Sequence, residues 1–454
     1  MGNNDKILKR ISVLLKENQS LKTELFKQKE LNNKFREKIN HLKNNIEDGI
    51  DDKNKIVHFN MATVLYIEFF GFSTITNKED TTILIDELDQ IFFKFGEISK
   101  KYKIERTKAI GDVYVCAGGV PAKNSTNSID VVLAALEMKR YIDNLQEKYK
   151  EEGKSFWSYK MGVHSGQVKA QIKGKRKKTY TLLGDTVSIT SRVKSIAYKG
   201  QLVISAMTYE LIKEYFTCKY KGILPVKYKK DYEVYAVTKI KKAYSVDRQG
   251  LIPNEIFEIK YKLRQMTDLQ ELILDKIDSE LPKYLHYHNT KHTIDVLSQV
   301  ELIGIIEGVS DKDLLLLKTA ALFHDIGQIK QSAEHEEIGC KYTKQYLPKY
   351  AYTDEEIEII NGIIMATKLP PQPKTLLQEI ICDADLDYLG RSDFIPVSDT
   401  LFKELSEQNI ITDINEWNKL QVKFLESHHY FTNSAKTLRE VNKQEQIKRL
   451  KKIN

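Results

Sequence analysis

The stretches VLYIEFFGFS at residues 64–73 and TKAIGDVYVCAGG at residues 107–119 decide the fold of the first large domain. Each contains an apolar run, a glycine and one acid near the run, Glu68 and Asp112. Short apolar runs bounded by glycine are typical of β-strands. Further strand-like runs alternate with helical patterns, which predicts an α/β domain over residues 56–240. The strand-like runs are 63–69, 112–117, 159–164, 201–205 and 232–237, and the helical patterns are 81–101, 128–150 and 187–197.

The chain continues with a different pattern. Residues 241–256 are rich in lysine and contain glycine and proline without clear periodicity, which indicates a linker. Residues 257–454 show successive helical patterns with hardly any strand signal, so an all-α domain is expected. The length of 454 residues fits several domains of roughly 150 residues each. The sequence therefore predicts a multidomain protein.

The first fifty residues carry a heptad pattern of apolar side chains. A parallel two-stranded coiled coil is predicted over residues 1–50, because Asn18 and Asn32 fall at the same a position as Ile11, Leu25 and Ile39. The alternative is a single amphipathic helix that lies on its own domain. A homodimer is expected from the first interpretation.

Composition limits the class of protein. The 71 basic and 63 acidic residues leave a net charge of +8, a surplus that keeps a protein soluble and does not by itself imply nucleic acid. The basic run at residues 173–178 is interpreted as a solvated hairpin tip. The four cysteines are widely spaced, and the N-terminus has no apolar signal region. No apolar run approaches the ~20 residues that span a bilayer, so a cytoplasmic protein without membrane segments is expected.

The two acids of the α/β domain suggest metal chemistry. Carboxylates at the ends of neighbouring strands can bind hard divalent cations, which bring substrate phosphates with them. Glu68 is followed by Gly71-Phe72-Ser73, and Asp112 is preceded by Gly111. A third block, GDTVSITSR, follows at residues 184–192. An isolated acid at a strand end is usually only solvated, so the surrounding blocks carry the interpretation.

These three blocks in this order resemble the class III nucleotidyl cyclase catalytic domain. The match covers nearly all of residues 56–240, including MGVHSG at residues 161–166 and KGI at residues 221–223. The resemblance implies a ferredoxin-like α/β fold that builds two active sites across a homodimer interface. It also implies two Mg²⁺ or Mn²⁺ ions and the conversion of ATP to cyclic AMP and pyrophosphate.

The resemblance assigns roles by position. Lys108 and Thr181 occupy the purine-reading positions, and a lysine donor with a threonine acceptor suits adenine rather than guanine. Arg192 matches the arginine that stabilises charge on the α-phosphoryl group, and Lys227 matches the triphosphate-binding lysine. The two metal ligands are Glu68 and Asp112, and Ser188 stands at the ribose-orienting position.

Two of these positions depart from the family pattern. Glu68 stands where aspartate is usual, and its carboxylate is one methylene further from the backbone. Ser188 stands where the family generally has asparagine, and serine has a shorter reach. The alternative function is therefore a non-catalytic, nucleotide-sensing domain that regulates the second domain.

Histidines cluster in the helical segment. The chain has ten histidines, and five of them fall within fifty residues: His286, His288, His292, His324 and His335. An acidic run, Asp383-Ala384-Asp385-Leu386-Asp387, follows downstream. Imidazole and carboxylate ligands suit a divalent transition metal, or Mg²⁺ where water completes the coordination. Any one of these histidines alone is more commonly a core residue.

The motifs YHNTKH at 287–292, ALFHDIG at 321–327 and CDADLDYLG at 382–390 resemble the HD superfamily of metal-dependent phosphohydrolases. The resemblance covers about residues 284–395 and leaves nucleotides, cyclic nucleotides and alarmones open as substrates. His288 resembles the group that protonates the leaving oxygen, or it supports His292; His335 is a candidate for a second ion. Asp383 and Asp387 are expected in solvent or beside a ligand. The implied metal ligands are His292, His324, Asp325 and Asp385.

Overall fold

A computed structural model describes residues 56–71, 81–154, 156–173, 179–225, 231–247 and 250–453. The coiled coil predicted for residues 1–50 and the predicted triphosphate ligand Lys227 lie outside these ranges. Two architectures follow one another along the described chain, a β-sheet covered by helices and then a series of helices. None of the helices in these ranges has the length and apolarity needed to cross a bilayer.

An eight-stranded sheet organises the first architecture. Its strands are β1 (Ile56–Phe70), β2 (Glu105–Ile110), β3 (Val113–Gly118), β4 (Ser158–Lys173), β5 (Thr179–Leu183), β6 (Leu202–Ser205), β7 (Phe216–Leu224) and β8 (Tyr232–Ile240). The spatial order is β2-β3-β1-β4-β6-β8-β7, and β5 pairs with β4. Strands β4 and β6 run parallel, whereas β3 is antiparallel to both β1 and β2. The predicted α/β class is confirmed.

Helices cover the sheet at α1 (Thr81–Lys101), α2 (Asn127–Glu151), α3 (Asp185–Ile196) and α4 (Ala206–Ile212). Alternation along β1 directs Leu65, Ile67 and Phe69 into one fully buried core. The ring of Phe69 lies 6.0 Å from that of Phe92 on α1.

Strands β2, β5 and β7 and helix α4 were not part of the sequence prediction. Strand β7 has few buried positions, so its polar surface hides it from hydrophobic patterning.

The outer end of β4 and strand β5 form a two-stranded arm. Lys169 pairs with Leu183 at its base, and Thr181 of β5 is opposite Gln171 of β4. Thr181 is exposed on this arm.

The second architecture is helical, as predicted. Its central helix is mostly apolar, and eight of its thirteen residues are buried, as expected for a helix surrounded by others. The helices are α5 (Glu255–Glu280), α6 (Thr290–Ile306), the central α7 (Asp311–Phe323), α8 (His335–Tyr346), α9 (Asp354–Met365), α10 (Leu376–Asp385), α11 (Phe394–Glu407), α12 (Ile414–Ser427) and α13 (Asn433–Ile453).

Helix α5 belongs to both architectures. Near its start, Phe257 is buried in the core of the sheet domain and packs against Tyr215 at a ring distance of 5.3 Å. Further along, Asp268 accepts hydrogen bonds from the backbone N–H and the hydroxyl of Ser125, each at 2.9 Å. The second half of the helix is buried in the helical core, for example at Ile273. One continuous helix therefore joins the two cores.

The segment predicted as a linker is ordered where the structure describes it. Ser245 and Pro253 form an isolated antiparallel bridge, and the N–H of Val246 donates to the carbonyl of Ile252 at 3.0 Å. Asn254 then caps α5, since its side-chain oxygen accepts from the N–H of Phe257 at 3.0 Å. These bonds connect β8 to α5 without a loose stretch in the described part of the segment.

Candidate functional site

The helical domain brings four predicted metal ligands together. His292 lies in the first turn of α6, His324 and Asp325 follow the buried end of α7, and Asp385 ends α10. Asn289 begins α6 by accepting from the N–H of Lys291 at 2.8 Å, which fixes the turn that carries His292. The three helix ends therefore converge, although their residues are distant in sequence.

The donor atoms of these residues face one another. The Nε2 atom of His292 lies 3.3 Å from Nε2 of His324, 3.3 Å from Oδ2 of Asp325 and 3.0 Å from Oδ1 of Asp385. His324 bonds the carbonyl of Ala321 through Nδ1 at 2.8 Å, which leaves Nε2 for this cluster.

This donor set fits a divalent metal ion. Oδ2 of Asp325 is buried and has no hydrogen-bond partner, although two imidazole nitrogens lie within 3.3 Å. Polar atoms that converge without hydrogen-bond geometry are expected where a cation completes the arrangement. Two nitrogens and two carboxylate oxygens suit a transition ion. We call His292, His324, Asp325 and Asp385 the HD cluster.

The electrostatics of the HD cluster follow from buried opposite charges. Burial acts against the protonated imidazole of His292, but Asp325 and Asp385 outweigh it and raise the pKa of His292 to about 9. Burial likewise acts against the charged form of Asp325, yet His324 and the other imidazoles hold the pKa of this carboxyl well below its usual value. The cluster therefore holds protons on its imidazoles where no metal replaces them.

His335 lies beside the HD cluster rather than in it. Its Nε2 is 3.2 Å from Oδ1 of Asp325 and 3.5 Å from Oε1 of Glu336, whereas His292 and His324 contact Oδ2 of Asp325. Burial disfavours its charged form, but Asp325 raises the pKa of His335 to about 9. The hypothesis that His335 binds a second ion stays a prediction.

His288 is held by an acid that sequence reasoning missed. Its Nδ1 lies 2.6 Å from Oε1 of Glu404, and Oε2 of Glu404 accepts from the backbone N–H groups of Tyr287 and His288. Glu404 is 2% exposed; burial opposes its ionisation, but these bonds outweigh burial and lower its pKa. Glu404 is on α11, 116 positions away, and no motif marks it.

Glu404 is expected to be a positioning residue for His288. Glu404→Gln removes a charge-assisted bond, so we expect kcat of hydrolysis to fall about 10- to 100-fold, as for other partners that orient a site. Bound metal should be unchanged, because Glu404 contacts Tyr287 and His288 rather than the HD cluster.

The matched control is Glu407→Gln, since Glu407 lies on the same helix and contacts His286 at 2.9 Å. Kinetics and metal content of both variants provide the measurement. An unchanged kcat in Glu404→Gln, or a fall in kcat that is matched by loss of metal, would contradict the positioning role.

A cavity of about 490 Å³ opens beside the HD cluster. His288, Asp325, His335 and Asp385 contribute its polar wall. The remaining wall is mainly apolar and includes Leu389, Phe394, Leu401, Leu405, Trp417, Leu420, Phe424 and Leu425. A site of this kind encloses an apolar or aromatic group and places a polar group beside the cluster.

Asp383 and Asp387 have structural roles. Asp383 is fully buried and accepts from the backbone N–H groups of Phe431 and Thr432, each at 2.8 Å. Asp387 is 3% exposed and pairs with Arg439 at 2.6 Å. Of the two expectations for these carboxylates, exposure to solvent is wrong, because both are buried and anchor the C-terminal segment to α10 and the turn after it.

In the sheet domain, Glu68 and Asp112 come from adjacent strand ends. Glu68 is paired with Val113 across β1 and β3, and the N–H of Phe69 donates to the carbonyl of Asp112 at 2.8 Å. Burial raises the pKa of the neighbouring Tyr66, and the charges of both Glu68 and Asp112 raise it further. The structure thus places the two predicted metal ligands around one tyrosine.

Glu68, however, has a cation beside it. The Nζ atom of Lys194 lies 2.6 Å from Oε2 of Glu68, and the Lys194 side chain is 9% exposed. As the residues lie, an ammonium occupies Oε2 of Glu68, one of the two oxygens that would bind divalent ions shared with Asp112. The predicted two-ion site therefore does not fit this arrangement.

The other predicted nucleotide ligands are exposed. Lys108 lies on β2 opposite Val115 of β3. Ser188 and Arg192 are one turn apart on α3, whose opposite side is buried. Their exposure leaves them accessible to a ligand or to a second chain.

Comparisons with known proteins agree with both architectures. Residues 55–239 match the family of adenylate and guanylate cyclase catalytic domains, and residues 290–387 match the HD domain. Guanylate cyclase 32E of Drosophila melanogaster is 27% identical over 184 residues, which are 40% of this chain and 16% of that protein. Guanylate cyclase soluble subunit alpha-1 of Rattus norvegicus is 26% identical over 177 residues, 38% of this chain and 25% of that protein. The chain thus spans a quarter or less of these relatives.

Among solved structures, the adenylyl cyclase CyaB from P. aeruginosa is 23% identical, with a TM-score of 0.38. The likeness covers 41% of this chain and 96% of that chain. The two family matches confirm the pair of resemblances that the sequence motifs indicated.

Proposed function

We propose that this chain, which joins an adenylate/guanylate cyclase catalytic domain to an HD domain, hydrolyses a phosphoester at the HD cluster and binds a purine nucleoside triphosphate at the cyclase domain. The convergence of four metal-ligand atoms, with the buried Oδ2 of Asp325 unpartnered, carries the hydrolytic proposal. An HD-type donor set beside a cavity of about 490 Å³ supports the same reaction class.

The residues around the cavity have different roles in the proposed hydrolysis. A divalent ion, when bound, supplies Lewis-acid polarisation of the phosphoryl group and an acidified water. His288 is bonded to Glu404 through Nδ1, so its Nε2 is the nitrogen available to protonate the leaving oxygen. The apolar wall, with Phe394 and Trp417, encloses the organic part of the substrate and excludes water.

The second candidate function is cyclisation of ATP to cyclic AMP and pyrophosphate. The family match over residues 55–239 supports it. Exposed Ser188 and Arg192 would complete the site of a partner chain, which agrees with a homodimer that uses Mg²⁺ or Mn²⁺. The alternative is that the domain binds nucleotide without turnover and regulates the HD domain.

The nucleotide preference rests on Lys108. The two relatives compared by sequence above are guanylate cyclases. However, a lysine ammonium donates to N1 of adenine, whereas N1 of guanine is itself a donor. Lys108→Glu should therefore shift preference from ATP to GTP by at least about tenfold, since a hydrogen bond to a charged group contributes roughly 1.5–3 kcal/mol.

Competition of ATP and GTP against a fluorescent triphosphate measures this preference. Arg106→Glu, on the same strand, is the control for the change in charge. A native preference for GTP, or an unchanged ratio in Lys108→Glu, would contradict the assignment.

One assay separates the functions. Purified full-length protein is incubated with ATP or GTP, and with bis(p-nitrophenyl) phosphate, in the presence of Mn²⁺ or Mg²⁺, and products are identified by chromatography. We expect nitrophenol release that stops with chelator. Cyclic AMP would support cyclisation, and nucleotide binding without product would support the regulatory alternative. Absence of any phosphoester hydrolysis would overturn the hydrolytic proposal.

A further inference from the structure

The ion pair between Lys194 and Glu68 is set by the packing of α3 on the sheet. Gly162 of β4 has no side chain where α3 passes, and a Cβ there would lie 2.4 Å from the backbone nitrogen of Lys194. The close approach fixes where the Lys194 side chain starts. Its ammonium passes the ring of Tyr66, 5.2 Å from the ring centre, and ends at Glu68.

Burial makes the pair hard to separate. The Lys194 side chain is 9% exposed and that of Glu68 is 32% exposed, so the ammonium has little access to water as a replacement partner. A buried charge requires a partner, and removal of one member leaves the other uncompensated. A divalent ion at Oε2 of Glu68 would have to displace the ammonium or lie beside it, and like charges at that distance repel strongly.

We propose that the Lys194 ammonium takes the place of one of the two divalent ions at the cyclase domain, which therefore binds its nucleotide with a single ion held by Asp112. Asp112 is exposed, and no ion pair involving it is recorded in the described part of the chain. Mg²⁺ commonly binds through one or two carboxylates together with substrate phosphates, so one acid suffices to hold it. This inference rests on the proposed nucleotide binding.

The identity of residue 68 agrees with this assignment. The additional methylene of glutamate extends the carboxylate from the end of β1 toward the Lys194 ammonium. The shorter side chain of aspartate would leave its carboxylate further from that ammonium. An ammonium balances phosphate charge, but it has no open coordination position with which to acidify a hydroxyl group. The domain is therefore suited to binding the triphosphate rather than to rapid cyclisation.

The test counts bound Mn²⁺ on the full-length protein by electron paramagnetic resonance. Mn²⁺ titrations are carried out with and without α,β-methylene ATP. The difference in the number of bound Mn²⁺ ions excludes the ions held by the HD cluster. We expect one nucleotide-dependent Mn²⁺ per bound analogue in the native protein. Lys194→Met and Lys194→Gln should each raise this number to two, and Lys150→Met, an exposed lysine on α2, should leave it at one.

The outcomes separate this inference from the function on which it rests. Two nucleotide-dependent ions on the native protein, or one on both folded Lys194 variants, would overturn the role of Lys194 and leave nucleotide binding intact. Failure of the native protein to bind the analogue would overturn both. Thermal melting of the two Lys194 variants identifies which of them retains the native fold. The number of bound Mn²⁺ ions is taken from that variant.

Discussion

Replacement of Asp325 by asparagine should abolish metal-dependent hydrolysis with little change in shape. Asp325 contacts His292 and His324 through Oδ2 and His335 through Oδ1, so one substitution removes the anionic centre of the cluster. Changes to residues that only support metal ligands cost about 10- to 100-fold. We therefore expect loss of at least about a hundredfold in rate for a ligand itself, together with loss of bound metal.

Metal content by mass spectrometry and hydrolysis of bis(p-nitrophenyl) phosphate measure the effect. Asp399→Asn, an exposed carboxylate on α11, is the matched control and should behave as the native protein. If Asp325→Asn keeps its metal and retains activity within tenfold, Asp325 is not a ligand. Loss of metal without loss of hydrolysis would instead show that the reaction does not use the HD cluster.

Metal affinity at the HD cluster should rise steeply with pH. In the metal-free protein the pKa of His292 is raised to about 9 and that of His324 is also raised well above its ordinary value, because Asp325 and Asp385 outweigh burial at both imidazoles. A metal ligand must be a neutral imidazole, so binding expels protons at pH 7. For each proton expelled, the binding free energy weakens by about 1.4 kcal/mol for every pH unit below the pKa of the imidazole. This corresponds to about a tenfold loss of metal affinity per pH unit.

The dissociation constant of Mn²⁺, measured by competition with a chelating dye between pH 6 and pH 9, should fall by at least about tenfold per pH unit. An affinity that is constant between pH 6 and pH 8 would contradict the protonated state of these imidazoles.

A second measurement checks the direction in which the stability of the metal-free protein changes with pH. With chelator present, folded-state pKa values raised above about 6.5 give stability that is complete below pH 6.5 and is lost as pH rises through about 9. Thermal unfolding of the metal-free protein should therefore occur at a lower temperature at pH 9 than at pH 6.5.

Much of the fold could be predicted because its signals are local. The apolar alternation around Leu65 and Ile67 specifies a half-covered strand, and the continuous apolar pattern of α7 specifies a buried helix. Strand β7 was missed, since a strand with few buried residues has no such periodicity. The capping of α5 by Asn254 was also missed, and with it the ordered connection between the two cores.

The HD cluster could be predicted as a set, but its surroundings could not. Histidine and aspartate in short motifs predict the ligands, and in the structure each of His292 and His324 lies within 3.5 Å of both Asp325 and Asp385. In contrast, Asp383 lies in the same acidic run and binds backbone N–H groups instead. Adjacent residues of a helix point in different directions, so spacing alone does not tell which carboxylate enters the site.

The sequence by itself indicated the two domain resemblances, which the family matches over residues 55–239 and 290–387 confirm, and their order along the chain, because short motifs and hydrophobic periodicity are properties of neighbouring residues. Only the tertiary structure decided which groups are free to act. Glu404 meets His288 and Lys194 meets Glu68 through packing of elements that are remote in the chain, where no periodicity or motif links the partners. A buried charge must find a partner, and the folded packing, rather than the local sequence, selects that partner.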